Sequence, residues 1–326
     1  MTQRESMVAP PVPFSPDLHR KLAELEAAVG TAIRGKQDVI RLSIVCLLAK
    51  GHLLIEDVPG VGKTTLAQSL ARSVSCSFHR LQFTSDMLPS DVLGVTIYNA
   101  HAEAFEFKPG PIFTNFLLAD EINRTTPKTQ SALLEAMNES QVTLDGRSHS
   151  LPRPFMVIAT QNPVEHHGTY PLPESQLDRF LMRLRVGYPD LASERQILRN
   201  CEGSAASLNS GLVAEDVVRL QDAVHGVTVE DALVDYMLAI VEKTRAHESL
   251  ALGVSPRGSQ ALYRAVQAMA LVEGRDYAIP DDVKRLAVPL FAHRVVINTR
   301  TTLVQRRGEV GERIIEEILS QVEVPL

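Results

Sequence analysis

Along residues 17–190, short apolar runs alternate with amphipathic segments, a pattern that predicts strands separated by helices. This alternation favours an α/β fold with a parallel sheet. Most of the runs are continuously apolar, which is typical of strands buried on both faces. The predicted strands cover residues 53–56, 77–83, 115–121, 155–160 and 181–186. The predicted helices among them cover residues 17–29, 36–50, 63–73 and 127–139.

Two shorter patterns predict β-hairpins outside this alternation. Residues 96–98 and 104–107 are short β-type runs on either side of a polar turn. Residues 141–144 and 147–151 flank an Asp-Gly dipeptide at 145–146, which favours a tight hairpin turn. We therefore expect two hairpins in addition to the strands of the sheet.

From residue 191 onward the strand-type runs disappear and amphipathic helical patterns take over. In one of them Leu233, Met237, Ile240 and Val241 repeat at the spacing of a single helix face. The Tyr-Pro-Asp segment at 188–190 marks the change, so we predict a domain boundary there. The predicted helices cover residues 191–201, 215–225, 230–247, 256–273, 281–295 and 309–322. The predicted divisions are a flexible, proline-rich tail at 1–16, an αβα core at 17–190 and an α-helical domain at 191–326.

Composition narrows the class of protein. The 326 residues are 44% hydrophobic and 22% charged, which is ordinary for a globular chain. The net charge of −6 argues against bulk nucleic acid as the main partner. The three cysteines show no paired or metal-type spacing, which favours free thiols in a reducing compartment. No signal-peptide core or membrane-length apolar run is evident, so we expect a cytoplasmic protein without a membrane span.

The first candidate binding segment lies between a predicted strand and a predicted helix. Gly60 and Gly62 let the backbone curl so that several N–H groups face one anion, and the helix adds the positive end of its dipole. Lys63 would reach the β- and γ-phosphates of a nucleotide, and the Thr64 hydroxyl would hold Mg²⁺. The segment departs from the general phosphate-loop pattern at Asp57, where the first glycine is expected. The predicted loop comprises Pro59, Gly60, Val61, Gly62, Lys63, Thr64 and Thr65.

Polar residues at the carboxyl ends of the later strands would complete this site. Asp120 would bind Mg²⁺ directly or through water, and Glu121 would orient and deprotonate the attacking water. Asn162 would hydrogen-bond the γ-phosphate or the lytic water without competing for the metal. Each also has a purely structural explanation, since the acids could form a solvated strand end and Asn162 could cap a turn before Pro163.

Two arginines are candidates for stabilising the negative charge that develops during phosphoryl transfer. Arg179 follows Leu-Asp in the segment before the last predicted strand, and Arg257 follows Ser-Pro at the start of a predicted helix. A planar, permanently charged guanidinium suits this task. From spacing alone, each arginine is more often a partner in a surface salt bridge.

Taken together, these motifs identify a resemblance to a known family. The motifs are PGVGKT at 59–64, LADEINR at 118–124, ATQN at 159–162, PLPESQLDRF at 171–180 and SPR at 255–257. Their order resembles the MoxR family of AAA+ ATPases, in the clade with an insert in helix 2. The resemblance runs from residue 17 to the end of the chain, and Glu-Asp-Val-Pro-Gly around residue 57 is common in that family.

The resemblance implies an AAA+ core with a five-stranded parallel sheet, followed by a small α-helical lid. It also implies a Walker A motif at 60–65, a Walker B motif at Asp120 and Glu121, and a sensor 1 residue at Asn162. Arg257 matches the sensor 2 residue of the lid, which would contact ATP held between the core and lid of its own subunit. Arg179 matches the arginine finger, which acts on the nucleotide of a neighbouring subunit.

The function implied by the resemblance is Mg²⁺-dependent ATP hydrolysis by a ring, expected to be a hexamer, that remodels or activates a client protein complex. A von Willebrand factor A-domain protein is the implied partner, and the two hairpins match the helix-2 insert and the pre-sensor-1 hairpin. Arg124 is either a second inter-subunit arginine or part of a local salt bridge. The pair His166-His167 has no second cluster of Cys or His to support a metal site.

Three other functions are compatible with a phosphate loop. The first is a DNA-stimulated AAA+ motor, which the net charge and the single fixed cation of the 141–151 hairpin, Arg147, disfavour. The second is a nucleotide-dependent switch or scaffold with little hydrolysis, which the presence of Asp120, Glu121 and Asn162 disfavours. The third, a small-molecule kinase, lacks support because the chain shows no substrate-type insertion.

Overall fold

The computed structural model describes residues 16–162, 168–199, 211–298 and 307–325. Several features singled out in the sequence lie outside the described residues: the tail up to residue 15, the pair His166 and His167, and one of the three cysteines, Cys201. The helices are α1 Pro16–Ala32, α2 Gln37–Leu48, α3 Lys63–Ser73, α4 Pro89–Leu93, α5 Pro127–Glu139, α6 Glu174–Leu177, α7 Leu191–Arg199, α8 Ala214–Ala223, α9 Asp231–Ala246, α10 Pro256–Val272, α11 Pro280–Phe291 and α12 Arg307–Gln321. The strands are β1 Leu53–Glu56, β2 Phe78–Gln82, β3 Gly94–Asn99, β4 Ala104–Pro109, β5 Phe116–Asp120, β6 Gln141–Leu144, β7 Arg147–Ser150, β8 Met156–Gln161, β9 Met182–Leu184, β10 Leu250–Leu252 and β11 Val296–Ile297.

The predicted five-stranded parallel sheet is confirmed, with the strand order β2-β5-β8-β1-β9. Its inner strands are apolar without interruption because helices cover both faces. In β1, Leu53 and Ile55 belong to the core layer that includes α1, α2 and α3, whereas Leu54 belongs to the layer that includes α5. Because β5 and β1 both pair in parallel with β8, the carboxyl ends of these three strands lie side by side at one edge of the sheet.

Both predicted hairpins are present, β3 with β4 and β6 with β7. Asp145 and Gly146 both have positive φ, as the Asp-Gly turn requires. The hairpins contact each other through Phe107 and His149, whose rings stack with centroids 4.0 Å apart. Gly94 permits the chain to close the first hairpin, because a Cβ there would lie 2.3 Å from the carbonyl oxygen of Lys108.

The C-terminal part is mainly helical, but the expectation that strands end near residue 190 is wrong in one detail. Leu250–Leu252 pairs with Val296–Ile297 as a two-stranded antiparallel ribbon. Segments of two and three residues are too short to show a period-2 pattern in sequence. The ribbon also explains why α11 ends at Phe291 rather than near residue 295.

The C-terminal helices share their core with the rest of the chain. Helix α10 packs against α2 as well as against α9 and α11. One continuous apolar cluster therefore extends from Leu22 in α1 to Ile318 in α12. The division at residue 190 remains a prediction. Among the described residues, no helix is long and apolar enough to cross a membrane.

A buried histidine fixes the amino edge of the sheet. The Nε2 atom of His52 lies 3.0 Å from the carbonyl oxygen of Met137, at the end of α5, and Nδ1 accepts a 2.9 Å hydrogen bond from the Val157 N–H in β8. Burial lowers the pKa of His52 to about 4, although the bond to Met137 opposes that shift. The neutral ring therefore ties β1, β8 and α5 together.

From the burial of neutral His52 we predict that the free energy of unfolding decreases at acid pH. The unfolded chain, with an ordinary His pKa of about 6.5, binds a proton that the folded chain excludes until about pH 4. The contribution of His52 is thus complete above pH 6.5 and is lost as the pH falls towards 4, by about 2 kcal/mol at pH 5. Urea unfolding between pH 7 and 5 should show a weaker pH dependence for His52→Gln than for wild type. The exposed control His225→Gln should match wild type, and equal slopes for all three proteins would contradict the assignment.

Candidate functional site

The segment between β1 and α3 forms a cradle for an anion. Gly60 and Gly62 have φ values of 87° and 91°, in the left-handed region that glycine adopts without strain. Within the part of the chain that the structure describes, the backbone N–H groups of residues 60–64 donate no hydrogen bond. Because these groups precede or open α3, they meet the helix dipole at its positive end. The arrangement fits the phosphate groups of a nucleotide.

Lys63 lies in the first turn of α3 and faces the acids of the site. Its ammonium donates a 2.7 Å hydrogen bond to the carbonyl oxygen of Asp57. Burial lowers the pKa of Lys63, and the nearby charges of Asp120, Asp57 and Glu121 oppose that shift. A phosphate group could replace the carbonyl oxygen as the partner of this ammonium.

Asp57 accounts for the departure from the usual loop pattern. Its Oδ1 atom accepts a 2.8 Å hydrogen bond from the Val58 N–H, and Oδ2 accepts a 2.6 Å bond from the Gly187 N–H. Gly187 follows β9, on the far side of β1 from the acids. The carboxylate therefore anchors the phosphate loop to the strand beside it, a role that a glycine at this position could not fill.

Asp120 ends β5, and both of its carboxylate oxygens are engaged. Oδ1 accepts a 2.6 Å hydrogen bond from the Thr160 hydroxyl, and Oδ2 lies 2.6 Å from the Nη2 atom of Arg80. Carboxylate and hydroxyl oxygens are the ligands that Mg²⁺ prefers. Asp120 and the Thr64 hydroxyl, in the first turn of α3, therefore supply a donor set that fits magnesium.

Glu121 stands next to Asp120 in the left-handed conformation, with a φ of 57°. Its N–H donates to the Thr160 hydroxyl, so one threonine fixes the backbone of Glu121 and the side chain of Asp120. The Glu121 carboxylate accepts a 2.7 Å hydrogen bond from Gln82 and forms a 2.9 Å ion pair with Arg124. This pair accounts for the local role considered for Arg124, and the inter-subunit role stays a prediction.

Sequence reasoning missed the residues that hold these two acids. Arg80 and Gln82 are two positions apart in β2, and alternation places their side chains on one face of the sheet. Because β2 pairs with β5, the two side chains reach Asp120 and Glu121 respectively. The sequence did contain a signal for this role, namely two long polar side chains at positions i and i+2 of a strand at the sheet edge.

Asn162 follows β8 directly and is buried, with 6% of its surface exposed. Strand β8 lies between β5, which carries the acids, and β1, which leads into the phosphate loop. The structure therefore brings Asn162, Asp120 and the loop to the same edge of the sheet.

Arg179 and Arg257 lie elsewhere, at the opposite edge. The Nη1 atom of Arg179 donates to the Leu134 carbonyl at 2.8 Å, and Nη2 of Arg257 donates to Asn138 Oδ1 at 2.6 Å. Both acceptors belong to the last half of α5, whose end contacts His52 just before β1. The phosphate loop follows the other end of β1, a strand that spans about 13 Å.

This placement differs from one expectation from the sequence, which stays untested without a bound nucleotide. Arg257 was expected to contact the nucleotide bound by its own subunit, but the structure holds it against Asn138. The physical reason is that α10 packs on α2 and begins at the amino edge of the sheet, so its first turn cannot reach the carboxyl edge. Arg257 and Arg179 instead contact residues one helical turn apart on α5 and share one surface.

Comparison with known proteins agrees with this architecture. Residues 52–182 match the family described as "ATPase family associated with various cellular activities (AAA)", and residues 242–318 match the AAA lid domain. The Mycobacterium tuberculosis protein named Chaperone MoxR1 is 42% identical over 90% of this chain and 79% of its own length. The Paracoccus denitrificans Protein MoxR is 30% identical over 95% and 98%, respectively.

Two further relatives extend over nearly the whole chain. The Bacillus subtilis protein YeaC is 51% identical over 96% of this chain and 98% of its own length. The crystal structure of a Cytophaga hutchinsonii protein described as "a putative ATPase" superposes with a TM-score of 0.85 at 37% identity, covering 95% of this chain and 96% of that one. With the AAA and lid matches in chain order and MoxR relatives aligned almost end to end, the chain belongs to the MoxR family of AAA+ ATPases.

Proposed function

We propose that this protein hydrolyses ATP at the interface between two copies of the chain. One copy supplies the phosphate loop with Asp120, Glu121 and Asn162, and its neighbour supplies Arg179 and Arg257. The observation that carries the proposal is the position of these groups at opposite edges of one sheet. Head-to-tail assembly is the arrangement that would bring both sets to a single nucleotide, and such contacts form a ring when the rotation between copies closes.

Each residue of the first copy has a definite task in this proposal. The free N–H groups of residues 60–64 bind the phosphates, and Lys63 exchanges the Asp57 carbonyl for a phosphate oxygen. Mg²⁺, held by Thr64 and Asp120, would neutralise the charge on the β- and γ-phosphates. Glu121 takes the proton of the attacking water once its carboxylate is released from Gln82 and Arg124.

In this proposal the neighbouring copy contributes the positive charge of two guanidinium groups to the nucleotide site. Arg179 and Arg257 are held by a backbone carbonyl and a neutral amide, so neither gives up a charged partner when a phosphate approaches. Their guanidinium groups would stabilise the charge that develops on the γ-phosphate in the transition state. Loss of that phosphate would remove their shared partner and loosen the interface, which couples hydrolysis to movement.

The chaperone-like part of the proposal rests on the relatives and on the hairpins. The relative from Mycobacterium tuberculosis carries the name Chaperone MoxR1. In this chain Tyr98 and Phe105, on the β3–β4 hairpin, are 56% and 71% exposed and pack edge-to-face on each other. Exposed aromatic side chains are common at contact sites with other proteins. The hexameric ring and the von Willebrand factor A-domain partner remain predictions.

The test is the rate of ATP hydrolysis per subunit as a function of protein concentration. We expect this rate to rise with concentration and to level off when assembly is complete, because only assembled copies have complete sites. Sedimentation under the same conditions should show the transition at the same concentration. A constant rate per subunit in solutions that contain only monomer would overturn the proposal, and carrier protein at constant concentration controls for adsorption.

A further inference from the structure

Arg294, just after α11, is a buried arginine that the proposed mechanism does not yet use. Its side chain is 3% exposed. Nη2 donates a 2.8 Å hydrogen bond to the carbonyl oxygen of Phe180, and Nε lies 3.5 Å from Oδ1 of Asp178. These two residues flank Arg179 in the chain. One guanidinium therefore holds the segment that carries the proposed arginine finger from both sides.

The same guanidinium lies beneath the start of α10. A Cβ atom on Gly258 would lie 3.4 Å from the Nη1 atom of Arg294, at about contact distance, and 2.5 Å from Cγ1 of Val254, so the guanidinium lies beside the first turn of α10. Gly258 follows Arg257, and its N–H is capped by the Ser255 hydroxyl at 3.2 Å. Arg294 thus lies against the immediate chain neighbours of two arginines, the partly buried Arg179 before β9 and the exposed Arg257 in α10.

The surroundings of Arg294 indicate that burying its positive charge lowers the stability of the isolated chain. Burial lowers the pKa of Arg294 to about 10; Asp178 opposes that shift, and the positive charges of Arg257 and Arg264 add to it. Among the described residues, the Nη1 atom has no hydrogen-bond partner. A buried cation beneath two exposed ones destabilises the isolated chain, and an anion arriving at this surface would offset that cost.

We propose that Arg294 is a positioning residue that holds Arg179 and Arg257 as one unit, so that both meet the phosphate bound by the neighbouring copy. The inference rests on the proposed function, since it assumes that these arginines act across an interface. A lysine is expected to be a poor replacement, because the guanidinium hydrogen-bonds the Phe180 carbonyl through Nη2 while its Nε faces the Asp178 carboxylate at 3.5 Å, two directions that a single ammonium does not cover. Arg294 itself is too deeply buried to touch the nucleotide.

The first measurement is steady-state hydrolysis by Arg294→Met and Arg294→Lys. We expect Arg294→Met to lower kcat by about 100-fold, the typical effect of misplacing a catalytic group by about 1 Å. The KM for ATP should stay near the wild-type value, because the phosphate loop of the same chain is untouched. Arg294→Lys should recover little of the loss, whereas the exposed control Arg285→Met should behave as wild type.

The deciding experiment mixes two inactive variants. In a mixture of Arg294→Met and Glu121→Gln subunits, the Glu121→Gln copy would offer intact arginines to the intact loop and acids of the Arg294→Met copy. Random mixing in equal amounts makes about one site in four complete, so we expect about a quarter of the wild-type rate. A mixture of Lys63→Ala with Glu121→Gln, both defective in the nucleotide site, should stay inactive.

A third mixture, Arg179→Ala with Glu121→Gln, separates the two proposals. If it fails to recover activity although mixed assemblies form, action across the interface is wrong. If it recovers and the folded, assembled Arg294→Met protein does not, the role assigned to Arg294 is wrong. If Arg294→Met unfolds, Asp178→Asn takes its place in the mixture. This substitution keeps the side-chain shape and removes the charge that faces Arg294. If the mixture of Asp178→Asn with Glu121→Gln then recovers no ATP hydrolysis, the inference is overturned as well.

Discussion

Arg179→Ala is expected to lower kcat for ATP hydrolysis by about 10³-fold or more, the range in which arginine fingers act in phosphoryl transfer. The physical reason is that the guanidinium stabilises charge that appears only in the transition state. Binding of ATP by the loop of the same chain should be retained, because Arg179 lies at the opposite edge of the sheet. Single-turnover hydrolysis and equilibrium binding of a labelled nucleotide measure the two quantities separately.

The matched control for this substitution is Arg219→Ala on α8, whose side chain is 69% exposed. It removes a surface arginine without touching α5 and should leave kcat unchanged. A decrease of less than tenfold for Arg179→Ala, in protein that assembles normally, would show that this arginine does not act on the reacting phosphate.

Glu121→Gln is expected to lower kcat by about 10²- to 10⁴-fold, because an amide cannot accept the proton of the attacking water. ATP binding should persist, since the phosphate cradle is built from backbone N–H groups and Lys63. Measurement of phosphate release together with nucleotide retained after gel filtration would show a protein that binds ATP and does not turn it over.

Glu135→Gln is the matched control for Glu121→Gln, because Glu135 is an exposed glutamate on α5. It should hydrolyse ATP at the wild-type rate. If Glu121→Gln also did so, the chain would act as a nucleotide-dependent switch whose slow hydrolysis needs no general base. The ion pair of Glu121 with Arg124 and its bond to Gln82 would then be structural only.

Most of the fold followed from local patterns in the sequence. The five sheet strands were predicted to within a few residues, and the inner ones stood out because strands buried on both faces are continuously apolar. The hairpin at Asp145-Gly146 was predictable because few residues adopt positive φ at adjacent positions. The β10–β11 ribbon was not predictable, because its short segments carry no periodic signal and pair across more than forty residues of chain.

Some residues of the candidate site could likewise be predicted from the sequence, and others could not. The loop at residues 59–65 and the acids Asp120 and Glu121 stand out in sequence because a phosphate cradle needs glycines before a helix, and metal and water need oxygen atoms at strand ends. Arg80 and Thr160, which hold Asp120, did not stand out. Their role depends on which strand pairs with β5, and a sequence does not state its pairing.

The sequence by itself determined what one stretch of chain can do: curl around phosphates, end a buried strand in two acids, and place arginines before a strand and at the start of a helix. Only the tertiary structure decided which of these groups share a surface. It placed Arg257 with Arg179 and Arg294 at the amino edge and the phosphate loop at the carboxyl edge. The reason is that local propensity acts over a few residues, whereas the packing of α10 on α2 joins segments more than two hundred residues apart.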